Sequence, residues 1–386
     1  MDFTRQQKLV VFLLGFMGFW VMGDNYAAAP LIVDIAQDFS IDIGAAALPV
    51  AAYMLPFGLF TLLFGPLADK YGKARIISIA GFGTAIFSGL GAVAFDIFSL
   101  SIIRAINGGF AAGILPVTMS LVGESFEKPK EIHNAIGMVM GMFFLGAAFA
   151  TIIGGGLSQF GSWRLVYLAY GIVEFPIAIA MLLMLKKNPG TTDTLNFKEA
   201  YGETLTRPGL LKTVSLLSLV GFAVFGSFTY TGEYIQTQTG NSLIIVGSIL
   251  SLFGISAFIG GRHAGTLRQN IGNKLLPAAG LLGAFSWTII VVKPNVLILP
   301  IGLIGYGLAF VFLQSTLISS AQQLMPMRRG TVMAVVSFNM FIGGAIGVQA
   351  NRAILGSLGF EAIFMIAAGL ILTVSILANI VLSEKE

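Results

Sequence analysis

Residues 65–75 read GPLADKYGKAR, a short stretch that holds one acid, three cations and two glycines between two long apolar runs. Only 10% of the 386 residues are charged, so four charges in so short a segment are unusual for this chain. Because glycine permits tight turns, the stretch is expected to be a polar loop between two apolar helices. The rest of the sequence indicates where such a loop belongs.

The composition is that of a membrane protein. Hydrophobic residues make up 56% of the chain, mean hydropathy is +0.88, and the charged content lies far below the roughly 25% of soluble domains. Crossing a hydrocarbon core of about 30 Å takes about 20 apolar residues. We predict an all-α membrane protein with twelve transmembrane helices, near residues 9–31, 43–64, 75–95, 97–122, 134–157, 164–185, 211–232, 243–262, 275–292, 296–320, 330–351 and 360–382.

Lysine and arginine are distributed unevenly between the loops. With the N-terminus placed in the cytoplasm, eighteen of them fall on the cytoplasmic side and three outside, which is a strong positive-inside pattern. We therefore expect both termini to be cytoplasmic in a multi-pass protein of the plasma membrane, which in a bacterium is the cytoplasmic or inner membrane. The lysines and arginines lie mainly in the predicted cytoplasmic loops, as expected for a protein in the lipid bilayer. The net charge of +4 therefore does not indicate binding to nucleic acid.

The apolar segments fall into two groups of six, separated by a long polar stretch. GPLADKYG (65–72) also resembles GTLRQNIG (265–272), and each lies between the second and third segment of its group. We predict two pseudo-symmetric six-helix bundles, residues 1–186 and 211–386, joined by a cytoplasmic linker at 187–210. Such bundles allow alternating access, in which one half moves against the other around a site at mid-membrane depth.

Three motifs make the sequence resemble the major facilitator superfamily over essentially its full length. GPLADKYGKAR is similar to the family's signature loop between helices two and three, and LSIIRAINGGFAAG (100–113) resembles its helix-four arginine pattern. GDNYAAAPLIVDIAQDF (23–39) is similar to the start of the drug:proton antiporter branch. The resemblance implies the major facilitator fold and transport of a small molecule.

The fifth segment also resembles the antiporter branch through its glycine-rich pattern. Ala150 and Thr151, however, replace the family's usual Gly-Pro pair, and Ala74 in the signature loop stands where a second adjacent cation is common. The change in helix five weakens the antiporter assignment and leaves the superfamily assignment intact. The antiporter-like positions of this helix are Gly141, Gly146, Gly154 and Gly155.

The resemblance gives the opening stretch a role in conformational change. It implies that Asp69 contacts the cytoplasmic start of helix eleven, near Gly330, and latches the halves together when the cavity opens outward. Charge-assisted bonds of about 1 to 3 kcal/mol each suit a latch that must break. The alternative is a loop whose charges only fix orientation, and Gln269 predicts a weaker latch in the second half. The predicted latch residues are Gly65, Asp69, Lys70, Gly72, Lys73 and Arg75.

Three charged residues, Asp24, Arg104 and Glu174, lie inside apolar segments, where charges are costly and usually functional. At a rise of 1.5 Å per residue, all three fall in the outer half of the membrane and could share one cavity. Arginine keeps its proton, so Arg104 requires an acceptor, and Asp24 is the leading candidate. A buried carboxylate beside a guanidinium can take up a proton or a cationic substrate alternately. We therefore assign the three residues to proton coupling.

Each of these residues also has a structural interpretation. Arg104 could pin helix four to helix one, Asp24 could lie in a hydrated outer vestibule, and Glu174 could satisfy a backbone group freed by Pro176. Other side chains are candidates for the substrate cavity, although most are equally compatible with helix packing. They are Met17, Trp20, Asn25, Asn134, Met138, Gln314 and Asn339.

The sequence favours a secondary transporter that exports a small lipophilic or cationic molecule in exchange for protons. Two acids and one arginine give the cavity a formal charge of −1, which favours such substrates. A sugar exporter, a proton symporter or a facilitative transporter of a nutrient or lipid remains an alternative. A membrane-embedded sensor or enzyme is disfavoured, because the chain has no sizeable soluble domain and no paired acid/base constellation.

Cofactors and partner chains are not expected. His133 and His263 have no companions at metal-ligand spacing, and the sequence contains no phosphate-binding loop of the G-x-x-x-x-G-K-[ST] type. We therefore expect no metal, no cofactor and no enzymatic activity. A cavity enclosed by two halves of one chain needs no second copy, so a monomer is expected.

Overall fold

The computed structural model describes residues 3–126, 129–186, 189–190, 197–325 and 329–383. Within these ranges all regular structure is helical and there is no β-strand, which confirms the all-α prediction. The helices are α1 (Arg5–Ala27), α2 (Ile32–Phe39), α3 (Ile43–Ala46), α4 (Leu48–Tyr71), α5 (Lys73–Leu90), α6 (Ile97–Ala111), α7 (Ile114–Ser125), α8 (Pro129–Phe160), α9 (Trp163–Met184), α10 (Phe197–Thr206), α11 (Pro208–Thr239), α12 (Leu243–Ile271), α13 (Leu275–Val292), α14 (Ile298–Leu324) and α15 (Arg329–Ser383).

Eleven segments of the described chain are long and apolar enough to cross a membrane, so the protein is a multi-pass membrane protein. The first ten overlap the first ten predicted helices in order. The last, Gly330–Leu382, covers both remaining predicted helices, because the chain turns at the single residue Gly359, where φ is 82°. Twelve separate spans are therefore not confirmed.

The expected loop at residues 65–75 is helical except for Gly72. Gly72 alone separates α4 from α5, and it has a φ of 92°, a conformation that side-chain-bearing residues rarely adopt. Gly272 ends α12 with a φ of 58°. The two similar sequences therefore use the same backbone device at the end of a membrane helix.

Helices on each side of the linker pack mainly among themselves. Before it, α1 packs against α8, α4 against α6, and α5 against α9; after it, α11 packs against α15 and α12 against α14. The most extensive contacts between the two groups are those of α8 with α12 and of α4 with α15. The exact division at residues 187–210 stays a prediction.

The linker helix α10 is bonded to α4. Its Tyr201 hydroxyl donates to the carbonyl of Leu62 at 2.8 Å. Within α4 this carbonyl has no backbone donor, because residue 66, four positions later, is a proline and lacks an N–H. Burial raises the pKa of the Tyr201 phenol, so the hydroxyl keeps its proton and remains a donor. At the end of α10, Arg207 donates to the carbonyl of Leu324 at 2.8 Å. The linker therefore connects α4 to the end of α14.

Candidate functional site

A buried ion pair joins α1 to α6. Nη1 of Arg104 donates to Oδ2 of Asp24 at 2.8 Å, and Nη2 donates to the Asp24 carbonyl at 3.3 Å. The Arg104 and Asp24 side chains are only 1% and 2% exposed. Arg104 therefore has a carboxylate acceptor deep in the protein, and Asp24 lies in the interior rather than in open solvent.

Two tyrosines enclose the Arg104 guanidinium. Its central carbon lies 4.4 Å from the ring centre of Tyr53 and 5.1 Å from that of Tyr167, within the range of cation–π attraction. Tyr53 belongs to α4, and α4 approaches α6 closely at Gly108, where a Cβ would lie 2.1 Å from the Tyr53 carbonyl oxygen. The absence of a side chain at Gly108 thus allows the Tyr53 contact.

Asn107 also belongs to the site, although it is not among the residues predicted from the sequence. Its Oδ1 accepts from Nη1 of Arg104 at 3.3 Å, and its Nδ2 donates to the carbonyl of Thr84 at 2.9 Å. Asn107 is fully buried and connects α6 to α5. A signal was present in the sequence, because residues three apart on a helix face the same side.

Glu174, in α9, lies beside the ion pair. It is fully buried, interacts electrostatically with Asp24 and Arg104, and lies next to the Thr84 hydroxyl. That hydroxyl donates to the Gly81 carbonyl at 2.9 Å, and neither carboxyl oxygen of Glu174 has a hydrogen-bond partner among the described residues. An unpaired buried carboxylate is costly, so this group is suited to binding a proton.

Three predicted cavity residues lie near Asp24 in α1. Trp20 is half-buried and meets the Tyr170 ring edge to face, with 5.4 Å between centroids. Asn25 is buried, and its Oδ1 has no partner among the described residues. Met17 is fully buried and packs toward α5. That these side chains touch substrate stays a prediction.

The other predicted cavity residues lie elsewhere. Met138 is 54% exposed on α8. In the second half, Nδ2 of Asn339 donates to the carbonyl of Val335 at 2.9 Å, and Nε2 of Gln314 lies 3.5 Å from the sulfur of Met340. The side chain of Asn134 lies outside the described part of the chain. Their contribution to a cavity also stays a prediction.

The predicted latch is bonded to α7. Lys73 forms an ion pair with Glu124, and its Nζ lies 3.5 Å from Oδ1 of Asp69. Glu124 was not identified from the sequence, because its proximity depends on how α7 packs against α5. Of the other predicted latch residues, Lys70, Gly72 and Arg75 lie at the same helix junction, and Gly65 lies in α4, seven residues before Gly72. A contact between Asp69 and the start of the eleventh predicted helix, near Gly330 at the start of α15, stays a prediction.

The glycines of the fifth predicted helix allow α8 to approach two neighbours. A Cβ on Gly146 would lie 1.9 Å from a backbone oxygen of α1, and one on Gly155 would lie 2.3 Å from a backbone oxygen of α12. Gly154 also faces the α1 backbone, at 2.7 Å, whereas Gly141 makes only an ordinary contact at 3.8 Å. Helix α8 is therefore held tightly between α1 and α12.

Thr151 forms a hydrogen bond between the two groups of helices. Its hydroxyl, in α8, donates to the Gly247 carbonyl of α12 at 2.9 Å, and both groups are buried. Nearby, Gln159 accepts from the backbone N–H of Ile244 at 3.1 Å. The residue that replaces the family's usual proline thus bonds α8 to α12.

Thr151→Val is expected to loosen this contact. Valine keeps the shape of the threonine side chain but lacks its hydrogen-bond donor. Hydrogen bonds between membrane helices average about 0.6 kcal/mol. The ratio of molecules with α8 and α12 apart to molecules with them in contact should therefore rise about threefold. The natural chain has no cysteine, so spin labels on cysteines introduced at Phe160 and Ser242 would report the α8–α12 distance. Thr61→Val is the matched control, because its buried hydroxyl bonds within α4. Unchanged distance distributions in Thr151→Val would contradict the expectation.

The apolar helices and the buried ion pair are those of a multi-pass membrane protein with a charged site in its interior. The chain belongs to the Major Facilitator Superfamily, whose family model matches residues 14–348. This confirms the resemblance drawn from the sequence. A solved structure, a bacterial homologue of the human lysosomal transporter Spinster in an inward-facing and unoccupied conformation, has a TM-score of 0.75 and 17% identity, covering 98% of this chain and 96% of that one. At this identity the likeness concerns the fold alone.

The curated relatives include multidrug efflux pumps. The multi-drug resistance efflux pump PmrA of Streptococcus pneumoniae serotype 4 is 26% identical over 373 residues, 92% of each chain. Multidrug resistance protein D of Escherichia coli K12 is 24% identical over 330 residues, 82% of each. The multidrug efflux pump LfrA of Mycolicibacterium smegmatis is 26% identical over 262 residues, 61% of this chain and 51% of that protein. These relatives fit a protein of the drug:proton antiporter-like branch in a bacterial cytoplasmic membrane.

Proposed function

We propose that the protein exports small lipophilic or cationic molecules in exchange for protons, by alternating access. The observation that carries the proposal is the buried cluster of Asp24, Arg104 and Glu174, in which one carboxyl is paired and the other has no partner among the described residues. Export as the direction of transport is supported by the efflux pumps among the relatives.

The proposed topology has twelve spans and cytoplasmic termini. Helix α15 has 55 residues and would be about 80 Å long if straight, more than twice the hydrocarbon core of about 30 Å. We therefore assign two spans to α15, separated at Gly359. Residues 1–186 and 211–386 are the two moving halves, with 187–210 as the cytoplasmic linker.

In the proposed mechanism, proton and substrate compete for the same negative charge. With Asp24 paired to Arg104, a proton on Glu174 makes the cluster neutral. Loss of that proton gives the cluster a charge of −1, which attracts a cationic substrate in a site of low dielectric constant. Exchange follows because the charge is neutralised by either a proton or a substrate cation.

The proposed partners are a small-molecule substrate, protons and the lipid bilayer. No nucleic acid, cofactor or catalytic reaction is part of the proposal, and the protein acts as a monomer. A second candidate is a proton symporter or facilitative transporter of a sugar, nutrient or lipid. Thr151 favours this candidate, because it stands in place of the proline of the antiporter motif.

Proteoliposomes with an internal pH dye would test the proposal. Lipophilic cations, sugars and amphiphiles are added to the wild type, to Asp24→Asn and to Asp96→Asn. Asp96 is the matched control because it is an exposed helix cap, a role that asparagine fills equally well. We expect a cationic or lipophilic compound to collapse an imposed pH gradient in the wild type and the control but not in Asp24→Asn.

The other outcomes contradict parts of the proposal. Equal proton flux in the wild type and Asp24→Asn would remove Asp24 from proton coupling. Substrate movement without proton movement would exclude antiport and favour facilitative transport. Proton movement in the same direction as the substrate would favour the symporter.

A further inference from the structure

Helix α9 presents a row of three polar side chains on one buried face. Tyr167, Tyr170 and Glu174 are spaced three and four residues apart, so they lie on the same side of the helix. They are 1%, 0% and 0% exposed. At 1.5 Å per residue they lie about 6, 10 and 16 Å along the helix from Trp163, which is at the outer end of α9 in the proposed topology. The row therefore extends from near the outer surface to Glu174.

The oxygens of this row have no hydrogen-bond partner among the described residues. The same is true of the Ser88 hydroxyl, on α5. At Gly171, next to Tyr170, a Cβ would lie 2.6 Å from the α carbon of Gly89, so α5 runs directly against this part of α9. Buried polar groups are normally paired with protein or with ordered water, so several unpaired oxygens along one helix interface indicate a site for water.

The row also reaches the ion pair. Tyr167 and Tyr170 both interact electrostatically with Asp24 and Arg104, and Tyr170 also interacts with Glu174. The titratable and charged groups that face the row from neighbouring helices are Asp24 from α1, Tyr53 from α4 and Arg104 from α6, while α5 contributes the hydroxyls of Thr84 and Ser88. The row thus begins near the outer surface and ends at the charges assigned to proton coupling.

We propose that Tyr167 and Tyr170, with bound water, form a proton path between the outer surface and Glu174. The inference rests on the proposed proton-coupled function. Each phenolic oxygen takes a proton from water on its outer side as its own proton leaves to water on its inner side. Each transfer breaks one O–H bond and forms another, so overall a hydronium ion on the outer side loses a proton and the Glu174 carboxylate gains one.

The proposed path runs within the first half of the chain. Helix α9 packs against α1, α5 and α8, all of which precede the linker, so the row lies inside the first half. In this proposal the proton reaches Glu174 through the first half alone.

Removing the hydroxyls without the rings tests the path. The Tyr170 ring packs on Trp20 and the Tyr167 ring faces the Arg104 guanidinium, and Tyr→Phe substitutions keep both contacts. Tyr167→Phe, Tyr170→Phe and the double variant are reconstituted in proteoliposomes with saturating internal substrate. The rate of internal acidification is measured after the external solution is acidified, in H₂O and in D₂O, together with equilibrium substrate binding.

We expect internal acidification to slow about tenfold in the double variant, equivalent to about 1.4 kcal/mol of added barrier. The solvent isotope effect should also increase, while substrate affinity stays within about twofold of wild type. Tyr230→Phe is the matched control, because its buried hydroxyl donates to the Val348 carbonyl at 2.9 Å in the second half. A change in packing alone would not alter the isotope effect.

The path would be overturned if the double variant had the proton rate and isotope effect of the wild type while Glu174→Gln was inactive. The proposed function would still stand in that case. Loss of substrate affinity in step with proton rate would assign the two tyrosines to the substrate site instead, and would also overturn the path. Transport by the wild type without any proton movement would contradict the proposed function, and the path with it.

Discussion

Arg104→Met is expected to lower the free energy of unfolding by about 3 to 5 kcal/mol, because it leaves the Asp24 carboxylate buried without its partner. Methionine fills much of the same space but supplies neither the hydrogen bonds to Asp24 and Asn107 nor the cation that the rings of Tyr53 and Tyr167 enclose. Proton-coupled transport should be lost as well. Unfolding in detergent micelles and substrate-driven proton flux in proteoliposomes would measure the two effects.

The double variant Asp24→Asn/Arg104→Met separates charge from packing. Replacing a buried ion pair by neutral groups is often close to neutral for stability, whereas breaking it from one side is strongly destabilising. We therefore expect the double variant to regain most of the lost stability while transport stays absent. Additive destabilisation in the double variant would indicate that the two side chains do not interact in the folded protein.

Much of the fold was predictable from the sequence because membrane crossing requires long apolar runs. Ten predicted helices overlap ten candidate spans in order, and the similar stretches at 65–72 and 265–272 both end a helix at a glycine with positive φ. The last two predicted helices differ from the first ten, because one helical segment covers both. Hydropathy predicts a break near Gly359, but the chain turns there within one residue and the helical segment continues through it.

The charged residues of the site could be identified from the sequence, whereas their surroundings could not. Asp24, Arg104 and Glu174 are conspicuous because charges inside apolar segments are rare. Tyr53 and Tyr167 look like ordinary apolar-segment residues, and their contact with Arg104 depends on how α4 and α9 pack against α6. Helix periodicity relates residues within one helix, so a contact between helices distant in sequence requires the structure.

Gly108→Ala is expected to destabilise the protein by about 2 kcal/mol, within the range measured for overpacked sites. The new methyl carbon would lie 2.1 Å from the carbonyl oxygen and 2.8 Å from the carbonyl carbon of Tyr53. These atoms belong to the backbone of α4, so no side-chain rotation can relieve the clash and α4 must move away from α6. Tyr53 would then withdraw from Arg104, and we expect the transport rate to fall with the stability.

The neighbouring glycine provides the control for this prediction. A Cβ on Gly109 would come no closer than 3.9 Å to another residue, which is ordinary van der Waals contact, and alanine is about 0.8 to 1.0 kcal/mol more favourable than glycine within a helix. Gly109→Ala should therefore leave stability unchanged or raise it, with transport intact. Equal stability of the two variants would mean that α4 and α6 are not in close contact at Gly108. A difference of about 2 to 3 kcal/mol would instead support the α4–α6 contact as the feature that holds Tyr53 against the guanidinium.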